Sequence, residues 1–312
     1  MAASIGGTAI LISRPVAVNE PDVGVIQSRP FDYPLSVPSP VMRAEPYRFV
    51  GTCISSRGKV RAVNEDAAAY DATIGFAMVA DGMGGHRAGD VASQMACRNI
   101  EQRLRSARRS VDRMSMWFLQ ELVEGVNREI HAASTEPGLQ GMGATLALLL
   151  LGQREAKFLH VGDSRIYRLR GDCLDLLTRD DTLLSEQVAA GLIAPQETSD
   201  SHNRHFVTQA LGVSDRVTIH AQHDSVAAGD IYLLCTDGLN DLVSDDEIRL
   251  ILSELGTNLP LAAEHLIQLA NDCGGFDNVS VALLRVDDAP VAVERRGWLQ
   301  RLLGFCRGGA RG

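Results

Sequence analysis

The order of apolar and polar residues along the chain predicts alternating groups of helices and short strands. Apolar residues recur at steps of about four over five stretches, as in helices with one buried face: 90–109, 116–133, 183–190, 245–255 and 261–271. Apolar runs predict strands at 49–55, 76–80, 144–151, 156–161, 231–235 and 279–286, and a hairpin at 166–177. Helices grouped between runs of strands indicate an α+β fold of mainly antiparallel sheets covered by helices.

The first 46 residues differ from the rest of the chain in composition. Seven of the chain's 11 prolines lie there, the last of them at Pro46. Proline blocks helices and interior strands, so we expect an extended or disordered leader over 1–46. The periodic pattern begins at Tyr47 and predicts one folded domain over 47–287.

The C-terminal residues 288–312 form a basic tail. Trp298, Leu302 and Phe305 would share one face of a helix, with arginines around that face. Such a segment could dock on an anionic membrane surface or on a partner. Two glycines interrupt it, which favours instead a solvated tail or one packed on its own domain.

Charge and cysteine spacing exclude several classes of protein. The formal net charge of −9 argues against nucleic-acid binding. None of the six cysteines forms a C-x-x-C pair, so neither a zinc site nor a disulfide framework is indicated. The longest apolar run, 144–151, is too short to span a bilayer, and the N-terminus is a poor signal peptide. We therefore expect a cytoplasmic protein with reduced thiols.

Acidic residues lie where predicted strands end or begin. Asp81, Asp163 and Asp237 each follow an apolar strand beside a glycine, and Asp277 precedes another strand. Gathered at one rim of a sheet, carboxylates would repel each other unless a cation neutralised them. Oxygen ligands alone select hard divalent ions such as Mg²⁺ or Mn²⁺. The alternative is that each acid only caps an Asp-Gly turn, but the repeated arrangement favours a metal site.

Six short motifs carry a resemblance to a known family. They are RAVNED at 61–66, VADGMGG at 79–85, GMGAT at 141–145, VGDSR at 161–165, CTDGL at 235–239 and GFDNVS at 275–280. Their types and order resemble the metal-dependent serine/threonine phosphatases of the protein phosphatase 2C type, in their bacterial branch. The resemblance covers roughly residues 47–286. It implies a four-layer α-β-β-α sandwich of two antiparallel sheets flanked by helices.

The resemblance also implies a site for two Mn²⁺ or Mg²⁺ ions at one end of the sandwich. Asp81 would bridge both ions, and Asp237 and Asp277 would complete the protein ligands of the first. Glu65 and the backbone carbonyl of Gly82 would serve the second.

Further roles are implied around those ligands. Asp163 and Asp241 match acids that hold a weaker third ion in bacterial members. Arg61 would hold the substrate phosphate and act in catalysis together with Asp81. Asp66 would act through water, and Asn278 would orient the loop beside its neighbouring ligand.

The implied reaction is hydrolysis of phosphoserine or phosphothreonine in proteins by a water that two metal ions activate. A bacterial Ser/Thr kinase and its targets are the implied counterparts, in signalling or secretion control, and we expect a monomer. Two alternatives stay open: a pseudophosphatase used as a binding module, and a phosphatase of small metabolites or regulatory proteins. Cys97 and Cys173 have an arginine six residues on, as in cysteine phosphatases, but no glycine between to form a phosphate loop.

Two positions depart from the pattern of the family. Met83 stands where eukaryotic members have a histidine that protonates the leaving group, and His86, three residues on, is an alternative acid or a surface histidine. Asp181 stands where bacterial relatives usually have a histidine, at the start of a flap running to about Gly212. These departures bear on substrate preference and on flap docking and change no predicted metal ligand.

Overall fold

The computed structural model describes residues 47–84, 88–193 and 206–288. The predicted leader, His86 and the tail beyond residue 288 lie outside these residues. The strands in chain order are β1 (Arg48–Ser56), β2 (Ala67–Asp71), β3 (Phe76–Ala80), β4 (Gly82–Met83), β5 (Gly143–Ala144), β6 (Leu146–Leu151), β7 (Glu155–Val161), β8 (Arg165–Arg170), β9 (Cys173–Leu176), β10 (His220–Ser225), β11 (Ile231–Cys235) and β12 (Val279–Asp287). The α-helices are α1 (Ala88–Ala107), α2 (Met116–Ala133), α3 (Leu183–Ala189), α4 (Asp237–Asn240), α5 (Asp245–Leu255) and α6 (Leu259–Asp272).

Ten of these strands form two five-stranded antiparallel sheets. Sheet 1 has the order β1-β12-β11-β8-β9, and sheet 2 has the order β10-β7-β6-β3-β2. β4 and β5 form a separate two-residue pair. β1 and β12 pair along nine residues, from Arg48 opposite Asp287 to Ser56 opposite Val279. The mainly antiparallel pairing predicted from the sequence is confirmed.

The apolar side chains divide into three layers. β3 shows the division because side chains alternate along a strand: Phe76 and Met78 pack in a core with α1 and α2, whereas Ala77 and Val79 pack in the core between the sheets. A third core joins the outer face of sheet 1 to α5 and α6. The order of layers is therefore helices, sheet 2, sheet 1, helices, which confirms the predicted α-β-β-α sandwich.

Most predicted elements agree with the structure within two residues, and the exceptions are small or polar. The strand predicted at 144–151 divides into β5 and β6. α4 is a single turn, and it was not predicted. β10 was not predicted either: it lies at the edge of sheet 2, pairs only with β7, and has the polar sequence HAQHDS. Among the helices within residues 47–84, 88–193 and 206–288, none has the length and apolar character needed to cross a membrane.

Candidate active site

The strand register brings the predicted acids to one edge of the sandwich. Cys235 at the end of β11 lies opposite Arg165 at the start of β8, and Ala80 at the end of β3 lies opposite Ala67 at the start of β2. Residues 162–164 connect β7 of sheet 2 to β8 of sheet 1, so these ends of the two sheets form one shared edge. The acids that flank those strand ends lie on it: Glu65, Asp66, Asp81, Asp163, Asp237 and Asp277.

Hydrogen bonds fix the backbone of Asp81 at this edge. Its N–H donates to the hydroxyl oxygen of Thr145 (2.9 Å), and the N–H of Thr145 donates to the carbonyl of Asp81 (2.9 Å). The Thr145 hydroxyl lies 2.7 Å from the hydroxyl of Ser164, the residue after Asp163. One buried network thus holds two of the predicted acidic residues in register with each other.

Glu65 and Gly82 lie against each other around the start of α1. The N–H of Gly82 donates to the carbonyl of Glu65 (3.2 Å). A Cβ on Gly82 would stand 2.1 Å from the carbonyl oxygen of Gly89, so only glycine fits. A Cβ on Gly89 would stand 2.7 Å from the Gly82 carbonyl oxygen and 3.0 Å from Glu65 Oε1. The two oxygens predicted to serve the second ion therefore face the same small space.

Asp66 is buried between the ends of β11 and β12. The hydroxyl of Thr236 donates to Asp66 Oδ2 (2.9 Å) and accepts from the N–H of Ser280 (2.9 Å). Asp237 follows Thr236 directly and opens α4. Asp66 thereby holds the turn that carries Asp237, and its action through water stays a prediction.

Arg61 forms an ion pair with Asp277, with 2.5 Å between Nη2 and Oδ2. Burial lowers the pKa of Arg61, but Asp277, Asp81 and Glu65 outweigh it and raise that pKa overall. The guanidinium therefore lies within the field of the acidic cluster. Its partly exposed side chain leaves further N–H donors open to a bound anion.

Asn278 connects the loop before β12 to the loop that carries Arg61 and Glu65. Its side-chain oxygen accepts from the N–H of Glu65 (2.8 Å), and its amide donates to the carbonyls of Arg57 (3.0 Å) and Val63 (2.9 Å). These bonds are the ones that an orienting residue requires.

Burial and mutual repulsion raise the pKa of the acids on this edge. Burial, the first cause for each, together with repulsion by neighbouring acids raises the pKa of Asp66 to about 7, that of Asp163 to about 8, and that of Asp81 well above its ordinary value. Asp237 contributes to all three of these raised pKa values, and Asp241 contributes to that of Asp163. A cation would relieve this repulsion. Since every donor is an oxygen, the cluster fits Mg²⁺ or Mn²⁺.

Asp90 belongs to this cluster and was not predicted. After burial, it is the largest cause of the raised pKa of Glu65. Its Oδ1 atom is buried without a hydrogen-bond partner among the described residues. The residue lies in the first turn of α1, where an acid is an ordinary favourable feature of a helix start. Its proximity to Glu65 depends on how α1 packs, which no local pattern reveals.

Met83 and the two cysteines that an arginine follows at six residues offer neither an acid nor a nucleophile. Met83 pairs with Gly143 in the β4–β5 ribbon and carries no proton to donate. Cys97 is buried in α1, where burial raises the pKa of its thiol to about 12. Cys173 is exposed at the β8–β9 hairpin, so it is not a packing residue, and a hydrogen bond to Asp175 raises its pKa. Neither thiol is activated as a nucleophile.

Comparisons with known proteins agree with this geometry. The family model described as "Protein phosphatase 2C" matches residues 55–269. Protein phosphatase PhpP of Streptococcus pneumoniae is 36% identical over 214 residues, which are 68% of this chain and 85% of that protein.

Two solved structures resemble the fold over most of its length. The catalytic domain of the serine/threonine protein phosphatase PstP, in complex with two manganese ions, has a TM-score of 0.69 at 37% identity, covering 78% of this chain and 100% of that one. PppA, described as a key regulatory component of T6SS in Pseudomonas aeruginosa, has a TM-score of 0.67 at 30% identity, covering 78% of this chain and 99% of that one. This chain therefore belongs to the protein phosphatase 2C family, as its motifs predicted.

Proposed function

We propose that this protein hydrolyses phosphoserine and phosphothreonine in other proteins, with two Mn²⁺ or Mg²⁺ ions at the acidic edge. The observation that carries the proposal is the cluster of buried acids with raised pKa values beside one arginine. The two manganese ions in the PstP catalytic domain support the choice of metal.

The acids of the edge would hold the ions in the predicted division. Asp81 would contact both ions, Asp237 and Asp277 the first, and Glu65 with the Gly82 carbonyl the second. Asp163 and Asp241 would hold a weaker third ion, and the charges of Asp237 and Asp241 both contribute to the raised pKa of Asp163. When bound, such ions lower the pKa of water towards neutrality and offset negative charge on a phosphate.

Arg61 would bind the substrate phosphate. Its planar guanidinium matches two phosphoryl oxygens, and its pairing with Asp277 places it at the rim of the same cluster. Asn278 and Asp66 keep the two loops in place by the hydrogen bonds described above. No side-chain nucleophile is needed, since water can attack phosphorus directly.

A bacterial Ser/Thr kinase and its targets are the expected counterparts, in the cytoplasm and in signalling or secretion control. The similarity of this chain to PppA, the T6SS component, supports a role in secretion control. A monomer stays the expected state.

One assay separates this proposal from the two alternatives. Full-length protein would be supplied with phosphothreonine peptides, phosphotyrosine peptides and small phosphomonoesters, with Mn²⁺ or with a chelator. We expect metal-dependent turnover that favours phosphothreonine. Activity on small esters alone would indicate a metabolite phosphatase, and no turnover on any substrate would indicate a binding module. The variant Asp237→Asn controls for contaminating phosphatases.

A further inference from the structure

A second group of metal-ligating side chains lies away from the acidic cluster. His160 of β7 and His220 of β10 are cross-strand partners. Their rings are stacked, with centroids 4.7 Å apart and an interplanar angle of 19°. Asp181, in the segment between β9 and α3, completes the group. One ligand atom from each of the three lies within 4.8 Å of the others.

The three side chains differ in how deeply they are buried. His160 is 1% exposed, whereas the side chains of Asp181 and His220 are 12% and 41% exposed. Burial lowers the pKa of His160, although its bond to the Arg179 carbonyl opposes that effect. The neutral ring is therefore the prevailing form at neutral pH, and only a neutral imidazole binds metal. The exposed side of His220 gives an ion access from solvent.

The group is already oriented by its neighbours. His160 Nε2 donates to the Arg179 carbonyl (2.8 Å), the kind of bond that fixes the tautomer and the plane of a ligating imidazole. Asp181 Oδ2 accepts from the N–H of Gly162 (2.9 Å), while its Oδ1 lies 2.8 Å from His220 Nε2. Tetrahedral zinc places its ligand atoms about 3.4 Å apart, given bonds of about 2.1 Å. For the three atoms to converge on one ion, Asp181 Oδ1 and His220 Nε2 would have to move apart and the nearly parallel rings would have to tilt.

We propose that His160, Asp181 and His220 form a binding site for Zn²⁺ or a similar transition-metal ion. Two imidazole nitrogens and one carboxylate suit borderline ions, whereas the all-oxygen cluster suits hard ones. The two sites therefore select different metals.

The position of this site gives the ion a structural consequence. Asp181 is bonded on one side to Gly162, which precedes Asp163 on the active-site edge. On the other side its carbonyl accepts from the N–H of Thr208 (2.7 Å), and the next residue, Thr182, pairs with Val207. An ion bound to Asp181 would thus join the edge strand β10 to the base of the segment 182–207.

Cobalt binding tests the proposal, because Co²⁺ with tetrahedral nitrogen ligands absorbs visible light far more strongly than Co²⁺ among six oxygens. Full-length protein is freed of metal, given excess Mg²⁺ to load the acidic cluster, and titrated with Co²⁺ and then Zn²⁺. His220→Gln removes one ligand at a partly exposed position. His223→Gln is the matched control, since His223 lies on the same strand with its side chain 65% exposed. Asp181→Asn is a second test variant.

We expect wild type and His223→Gln to bind one more equivalent of Co²⁺ than His220→Gln, with an intense visible band that Zn²⁺ abolishes. Asp181→Asn should weaken that binding at least tenfold. Zn²⁺ should raise Tm in the wild type and in His223→Gln more than in His220→Gln. Equal cobalt spectra and stoichiometry in wild type and His220→Gln would overturn the proposal and leave the trio as a hydrogen-bonded anchor only. Circular dichroism confirms that each variant is folded.

Discussion

Replacing Asp66 by asparagine should change how the stability of the metal-free protein depends on pH. The folded protein keeps the proton of Asp66 up to pH about 7, whereas an unfolded chain releases it near 3.8. Between these values the folded state binds more protons, so its free energy of unfolding falls as the pH rises. An asparagine side chain at this position has no proton to release, so the variant escapes this loss.

The size of the effect follows from the pKa difference. Each pKa unit corresponds to about 1.4 kcal/mol, and the two states differ by about three units. Asp66→Asn should therefore gain at most about 4 kcal/mol on the wild type between pH 4 and pH 8. Asp237 and Asp277 contribute to the raised pKa, so the variant also relieves repulsion on them.

The assay is urea unfolding in EDTA at several pH values, for wild type and variant, with the difference in free energy of unfolding as the readout. Saturating Mn²⁺ should shrink the gain at pH 8, because the cation offsets the neighbouring charges. Parallel curves from pH 4 to pH 8 in EDTA would refute the reasoning.

Asp71 provides a control of opposite sign. Burial raises its pKa, but hydrogen bonds from Thr73 and the charge of Arg105 outweigh burial and lower that pKa. Its contribution to stability is thus present above the unfolded pKa and is lost as the pH falls. Asp71→Asn should destabilise the protein at pH 8 and lose that effect at low pH.

Three further predictions concern catalysis. Excess EDTA should abolish turnover, and full activity in EDTA would exclude the two-metal mechanism. Asp81→Asn and Asp237→Asn should each lower kcat by orders of magnitude while circular dichroism shows an intact fold. Arg61→Ala should lower kcat/KM about 10- to 100-fold, because a charged hydrogen bond to the substrate is lost. The Mn²⁺ affinity measured by calorimetry should stay nearly unchanged. A fall in Mn²⁺ affinity with normal kinetics on the metal-loaded enzyme would show that the role of Arg61 is structural. Met83→His should speed phosphopeptide hydrolysis relative to p-nitrophenyl phosphate hydrolysis, because a seryl alkoxide needs a proton on leaving and p-nitrophenolate does not. An equal ratio of the two hydrolysis rates in wild type and variant would show that no acid is lacking at this position.

The elements that the sequence predicts well are those buried on both faces. β3 and β6 are continuous apolar runs because helices cover one face and the other sheet covers the second. β10 escapes prediction for the opposite reason: it is an edge strand with both faces partly exposed, so its side chains carry no apolar pattern. α4 is one turn long, too short for any helical period to show.

The residues of the candidate site also differ in whether the sequence reveals them. Asp81, Asp163 and Asp237 are visible in the sequence because each adjoins a buried strand and a glycine. Asp90 and His220 are not, since the first depends on the packing of α1 and the second lies on the unpredicted edge strand. The ion pair between Arg61 and Asp277 joins residues 216 positions apart, a contact that only the closed sandwich creates.

The pairing of β1 with β12 bears on how the domain is made on the ribosome. All five strands of sheet 2 precede residue 226, and α1 and α2 precede residue 134, so that half can assemble while synthesis continues. Sheet 1 differs because β12, the last strand made, takes an interior place between β1 and β11. β1 therefore waits without its partner for more than two hundred residues of synthesis, a long loop closure that slows folding. A nascent chain stalled before Val279 would still lack Ala282, Leu284 and Val286, the β12 residues of the core between the sheets, and would leave that core incomplete.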